Sequence, residues 1–197
     1  MASATYATHE PLACDTNTRE VIDVIERSFR AADPADFLLT LQAGLVWLSR
    51  AGVLESLPYP EQSEEHYTRR AFHIDPGHRF SILGMTWAPG QETPLHDHAG
   101  RWCVEVVVEG EMQVINFRLL HEDAHGRCRF TRCETIGATR HSSGGLIPPF
   151  EHHIFRNAGT RAAHTLHIYG GLMETCAIFE PAAGGFWQRK QKDLRCD

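Results

Sequence analysis

What most limits the folds open to this chain is the rhythm of its second two-thirds. Between residues 66 and 180, apolar and β-branched runs stay short and are cut at close intervals by Gly, Pro and Asp. YTRRAFHI leads into Asp75-Pro76-Gly77, then come RFSILGMTWAPG and VEVVV as far as Gly110. Val114 to Leu119 follows, then the polar turn HEDAHGR, then RFTRCETIG, GGLIPPF, HHIFRNAG, AAHTLHIYGG and TCAIFEP. Runs of this length with turn residues between them are strands. About eight of them predict a small antiparallel barrel or sandwich. No internal repeat is visible.

The first third has a different period. NTREVIDVIERSFRAA places Val21, Ile22, Ile25 and Phe29 on one helical face, with Asn17 or Thr18 as the cap. Asp33-Pro34 opens a second helix, whose Phe37, Leu38, Leu41, Leu45 and Leu48 recur at helical spacing up to Gly52. The chain of 197 residues suits one domain with a real core. It is read as a loose N-terminus at 1–16, a helical flank at 17–52, a β-barrel at 66–180 and a tail at 181–197. The tail, GGFWQRKQKDLRCD, is apolar only at its start and is expected to be solvated.

A net charge of −6 leaves no basic footprint for nucleic acid. No apolar run reaches the length of a membrane span. The first 15 residues have neither a charged nor an apolar signal region, and six cysteines are too sparse for a disulfide framework. Reduced thiols in a cytoplasmic protein are therefore expected. Nothing in the sequence sets an oligomeric state.

Chemistry concentrates at Gly90–Gly110. His96 and His98 stand two apart, on one face if the segment is a strand, and two imidazoles on one face can share a metal ion. Asp97 between them points the other way, toward a structural role. His152 or His153 in EHHIFRN offers a third ligand, and only one of these neighbours can face inward. Gly, five residues, His-x-His, four residues, then six more to Gly110 resembles the first cupin motif, with Cys103 where most cupins carry a metal-binding Glu. His-x3-Asn at 153–157 resembles the end of the second motif and selects His153, although Phe150 stands where that motif has a Gly. Three neutral imidazoles leave a 2+ charge and open positions, so a thiolate is an apt further ligand. Iron and zinc both tolerate such a set.

The surroundings of this site resemble the cysteine dioxygenase family of thiol dioxygenases, in its bacterial members. The likeness runs from about Tyr67 to Phe179 through YTR at 67–69, TPLHDH at 93–98, Cys103, H-x-x-x-N at 153–157 and TLHIY at 165–169, with Cys176 and Phe179 beyond. It implies a cupin barrel holding non-haem Fe(II) on His96, His98 and His153. It also implies Arg69, assisted by Tyr67, on the substrate carboxylate, a task suited to a guanidinium fork. Tyr169 takes the place of a tyrosine whose hydroxyl faces the iron, with His167 and Thr165 on the same strand face to orient it. In animal-type members the cysteine at position 103 is bonded through sulfur to that tyrosine, which suggests a Cys103–Tyr169 thioether. Gly170-Gly171 replaces the Ser-Pro of the animal enzymes, as in bacterial members that act on 3-mercaptopropionate or related acids.

The resemblance thus implies a dioxygenase joining both atoms of O2 to the sulfur of a small carboxylated thiol. L-cysteine is the first choice and 3-mercaptopropionate or another mercapto acid the alternative. A non-catalytic metal-binding cupin sensor is a reading from another class, but a mere binding barrel has no need of Tyr169. A zinc cupin isomerase or hydrolase is expected to keep the Glu that Cys103 replaces.

Overall fold

The computed structural model describes residues 15–196. The expected loose segment at 1–16 therefore lies outside the described residues except for its last two, and those belong to a helix start. Helix α1 spans Thr16–Ser28 and is capped by Asp15, two residues before the nearer of the expected caps. The Asp15 carboxylate accepts from the Thr18 N–H and hydroxyl at 2.8 Å each, so its pKa falls below the usual value although burial opposes the shift. Helix α2, Pro34–Arg50, begins as its sequence indicates. Asp33 accepts from the N–H groups of Ala35 and Asp36 at 2.8 and 2.9 Å, and Pro34 sits in the first turn.

Eleven strands follow: β1 Thr68–Ile74, β2 Ser81–Trp87, β3 Leu95–His96, β4 Cys103–Glu109, β5 Glu111–Glu122, β6 Arg127–Thr139, β7 Ser143–Leu146, β8 His152–Asn157, β9 Ala163–Tyr169, β10 Thr175–Ala182 and β11 Phe186–Asp193. The fold is a mainly β cupin with two N-terminal helices, but it is not one clean barrel. A five-stranded sheet of order β1-β2-β9-β4-β7 faces a second sheet, which closes on itself as β10-β11-β6-β5-β8-β3. Every pairing is antiparallel.

The alternation along the five-stranded sheet decides its two faces. Phe72, Ile82, Val104, Val106, Leu166 and Ile168 point outward and bury against Val21 and Ile25 of α1 and Leu41, Leu45 and Leu48 of α2. Each such side chain, fully buried, contributes roughly 1.5–3 kcal/mol. The helices are therefore a structural flank. At Gly84 a Cβ would overlap the ring of Phe72, so only glycine permits this approach. Leu83, Met85, Trp87, Cys103, Val107 and Tyr169 point inward, against Phe155 and Cys176 of the second sheet. The opposite face of the second sheet carries a separate cluster built on Leu95, Cys128, Ala177 and Phe179.

The tail contains a strand that was not expected. β11 pairs with β10 along its whole length and reaches β6, so residues 186–193 complete the second sheet, while their side chains stay exposed or half-buried, as expected of a solvated segment. Among the described residues the cysteines are free, and no helix is long and apolar enough to cross a membrane.

Candidate metal centre and its cavity

The short strand β3 puts His96 directly opposite His153 of β8. His98 lies just past the strand end, where its N–H donates to Glu151 Oε2 at 2.9 Å and Asp97 Oδ1 accepts from Ala177 N–H at 2.8 Å. These bonds fix the turn, and Asp97 has the structural role its parity suggests. The three imidazoles converge, with ring centroids 4.6 to 5.2 Å apart. One ring nitrogen from each lies within 4.8 Å of the others. His96 Nδ1 is 3.0 Å from the Pro94 carbonyl, which fixes its proton there and leaves the Nε2 lone pair for a metal. Both ring nitrogens of the buried His98 and His153 have no hydrogen-bond partner among the described residues. Burial, reinforced by the neighbouring imidazoles, holds His98 and His153 well below the ordinary histidine pKa, and burial lowers His96 also. Three neutral, converging imidazoles with orphaned nitrogens fit a divalent metal.

His152 is on the other face, as expected, yet it does not reach solvent. Its ring packs against Phe130 and Phe179 at 5.1 and 5.4 Å.

The five-stranded sheet supplies the facing wall. Arg69 is 7% exposed and lines the cavity, donating to the Arg195 carbonyl at 3.4 Å, whereas its neighbour Arg70 turns out to the Pro58 carbonyl. Tyr67 stacks on Trp87 with centroids 4.4 Å apart. On β9, Thr165, His167 and Tyr169 share the inward face, all buried. Trp87 Nε1–H donates to Thr165 Oγ1 at 2.9 Å, and Thr165 Oγ1 is 2.8 Å from His167 Nε2. The His167 ring lies parallel to Tyr169 at 6.0 Å, and Tyr169 stands 5.7 Å from the His98 ring. Cys103 is directly opposite Tyr169 across the β4–β9 pair. Burial is the largest cause raising both their pKa values well above normal, so both stay protonated until something removes the proton.

One site residue was missed. Glu105, two places beyond Cys103 on the same strand face, is 7% exposed and lines the cavity. Its Oε1 is 3.3 Å from His167 Nδ1 and 3.7 Å from His153 Nε2. The signal was available: if Cys103 faces inward, parity sends Glu105 inward too. Lys192 and Leu194, from the supposed tail, also line the cavity. Its free volume for water-sized molecules is about 40 Å³. At roughly 10–15 Å³ for each water, that is room for about three waters or one small metabolite.

A sequence profile of the family "Cysteine dioxygenase type I" matches residues 53–182. The chain belongs to this family. Within it, the chain is similar to cysteine dioxygenase type 1 of Danio rerio, 23% identical over 133 residues. That match covers 65% of this chain and 63% of the relative's length, so somewhat over a third of the relative has no counterpart here. Among solved structures, a protein with a double-stranded β-helix domain from Klebsiella pneumoniae matches at TM-score 0.47 and 16% identity, over 62% of this chain and 92% of its own. The cupin domain of an XRE-family transcriptional regulator from Enterobacter cloacae matches at TM-score 0.40 and 17% identity, over 54% and 97%.

Proposed function

We propose that the protein is an iron(II)-dependent dioxygenase that converts the thiol of L-cysteine to a sulfinate, both oxygen atoms coming from one O2. The observation that supports this best is one small cavity joining three converging imidazoles, two of them without hydrogen-bond partners among the described residues, with a buried arginine and a buried tyrosine. His96, His98 and His153 would hold the iron, which when bound supplies a place where thiol sulfur and dioxygen meet and lowers the thiol pKa.

The remaining work falls to the chain. Arg69 takes the substrate carboxylate, with Tyr67 beside it. Tyr169 keeps its phenolic proton, so its hydroxyl is a donor toward the reacting atoms. The chain from Trp87 through Thr165 to His167 holds the imidazole beside Tyr169. Met85, Trp87 and Phe155 keep this wall apolar and exclude water. Cys103 and Tyr169, opposite each other across the β4–β9 pair, would be joined by a sulfur–ring bond. Forming it removes two hydrogens in a two-electron oxidation, with dioxygen as the oxidant.

A second reading, 3-mercaptopropionate, is favoured by Gly170-Gly171. A Cβ at Gly170 would overlap the Trp102 indole, and Gly171 has φ of +114°, so the animal-type Ser-Pro pair has no room here. Glu105, two residues beyond the motif position held by Cys103, puts a carboxylate beside the imidazoles, and a direct test separates thiol oxygenation from zinc hydrolysis. Iron-loaded protein is given a panel of thiols while oxygen uptake and products are followed. One O2 consumed per cysteine sulfinate formed is expected. No uptake with any thiol, at one iron per chain, refutes the proposal.

A further inference from the structure

We infer that Glu105 supplies a fourth, carboxylate donor to the metal held by His96, His98 and His153, so that the resting centre carries three imidazoles and one anion. The inference rests on the metal-site reading above and deepens it. Glu105 is buried, and among the described residues its ion-pair contacts are to the imidazoles of His153 and His167. An isolated buried carboxylate is costly unless a cation or good hydrogen bonds compensate it. His167 Nδ1, though 3.3 Å away, is out of line for a hydrogen bond, so the carboxylate is not committed to it. The Cys103 thiol is a weak donor at 4.0 Å.

The carboxylate lies a small shift away from a ligand position. Two donors each about 2.1 Å from one ion stand roughly 3.0–3.4 Å apart at octahedral or tetrahedral angles. Glu105 Oε1 is 3.7 Å from His153 Nε2, a few tenths beyond that span. Its carboxylate groups with His98 and Cys103, ligand atoms within 4.8 Å of one another, a set that shares His98 with the group of His96, His98 and His153. The carboxylate reaches the centre from β4, on the sheet opposite β3 and β8, where His96 and His153 lie. With a divalent ion bound, Glu105 would lower the net charge of the centre from 2+ to 1+ and make it less electrophilic toward a thiolate.

The test is a titration of metal-free protein with Co(II), reading affinity and visible d–d absorption in the wild type, Glu105→Gln, Glu105→Ala and His96→Ala. Circular dichroism melts confirm that each variant folds. The expected result is an affinity loss of at least about tenfold in both Glu105 variants, with a changed d–d spectrum; even indirect support of a ligand is worth about that much. Folded Glu105 variants that bind Co(II) within twofold of wild type and with its spectrum overturn the inference. If His96→Ala meanwhile fails to bind, the three-histidine site survives that failure. If His96→Ala binds as well as wild type, the site itself is refuted, and Glu105 with it. Glu105 variants with unaltered metal binding but selectively weakened cysteine binding, relative to 3-mercaptopropionate, also overturn it and make Glu105 the partner of the substrate ammonium.

Discussion

Replacing Thr165 by Val keeps the side-chain shape and removes one oxygen that two buried groups share. Thr165 and Trp87 are 0% exposed and His167 is 2% exposed, so bulk water does not reach the lost partner's place. The Trp87 Nε1–H, now 2.9 Å from the hydroxyl, and His167 Nε2, now at 2.8 Å, are both left unsatisfied. A buried polar group without its partner costs about 1–3 kcal/mol, so the pair predicts a loss of about 2–6 kcal/mol. Against a usual domain stability of about 5–15 kcal/mol, that is a large fraction. Urea unfolding of metal-free protein, followed by circular dichroism, reads it as a lower midpoint at unchanged slope. Thr165→Ser keeps the hydroxyl and should lose only about 0.5–1.5 kcal/mol, the cost of a missing methyl. Iron-loaded Thr165→Val should also turn over more slowly, because His167 is no longer held beside Tyr169. A Val variant within about 0.5 kcal/mol of wild type, or a Ser variant as damaged as the Val, would falsify the account of this chain.

Other expectations follow from the same geometry. His96→Ala, His98→Ala and His153→Ala should each lose iron by elemental analysis while His152→Ala keeps it; the reverse pattern for the last two refutes the facing given to β8. Arg69→Ala should reduce kcat/KM for cysteine mainly through KM, by about 2–4 kcal/mol or roughly 30- to 1,000-fold. Cysteamine, lacking a carboxylate, should be a poor substrate that ignores the change, and equal use of cysteamine and cysteine by wild type counts against Arg69. After turnover, intact mass should fall by about two daltons, an effect absent in Cys103→Ser and Tyr169→Phe; a fully alkylatable Cys103 rules the bond out. Asp75 is held at about 2, against 3.8 ordinarily, chiefly by hydrogen bonds from Arg79. A depressed carboxylate pKa contributes stability that is present above the unfolded value and lost as pH falls through the folded one. The Tm difference between wild type and Asp75→Asn should therefore be constant above pH 3.8 and close as pH falls to about 2. A difference independent of pH across that range contradicts the assignment.

Local signals were the legible ones. The helical period of α2 and its Asp33-Pro34 start needed no partner to be read, and neither did the strand-and-turn grammar after residue 66. The α1 cap was misplaced because Asp15, Asn17 and Thr18 are all good capping residues within one turn, and only the backbone geometry chooses among them. The division into two sheets was not legible, because pairings such as β3 with β10 join residues about 80 positions apart. FWQRKQKD has no apolar period, and its strand identity comes from lying beside β10. The three histidines stood out through spacing and family likeness together. Glu105 was hidden in VEVVV, where a single acid in an apolar strand reads as a solvated residue until parity is counted.

The two adjacent histidines of β8 raise a question of alignment. Sliding β8 by one residue against β3 would still present a histidine, His152, opposite His96, so metal affinity alone discriminates poorly between the native alignment and its nearest error. The discrimination falls to residues that tolerate no shift. Asn157, fully buried, donates its amide to the carbonyls of Trp87 and Arg161 at 3.0 and 2.9 Å, and Phe155 N–H is held by Thr93 Oγ1 at 3.0 Å. The asparagine four places beyond His153 thus acts as the strand's index mark: without it, a slipped chain would still set a histidine opposite His96 while carrying Ile154 and Arg156 on the cavity face.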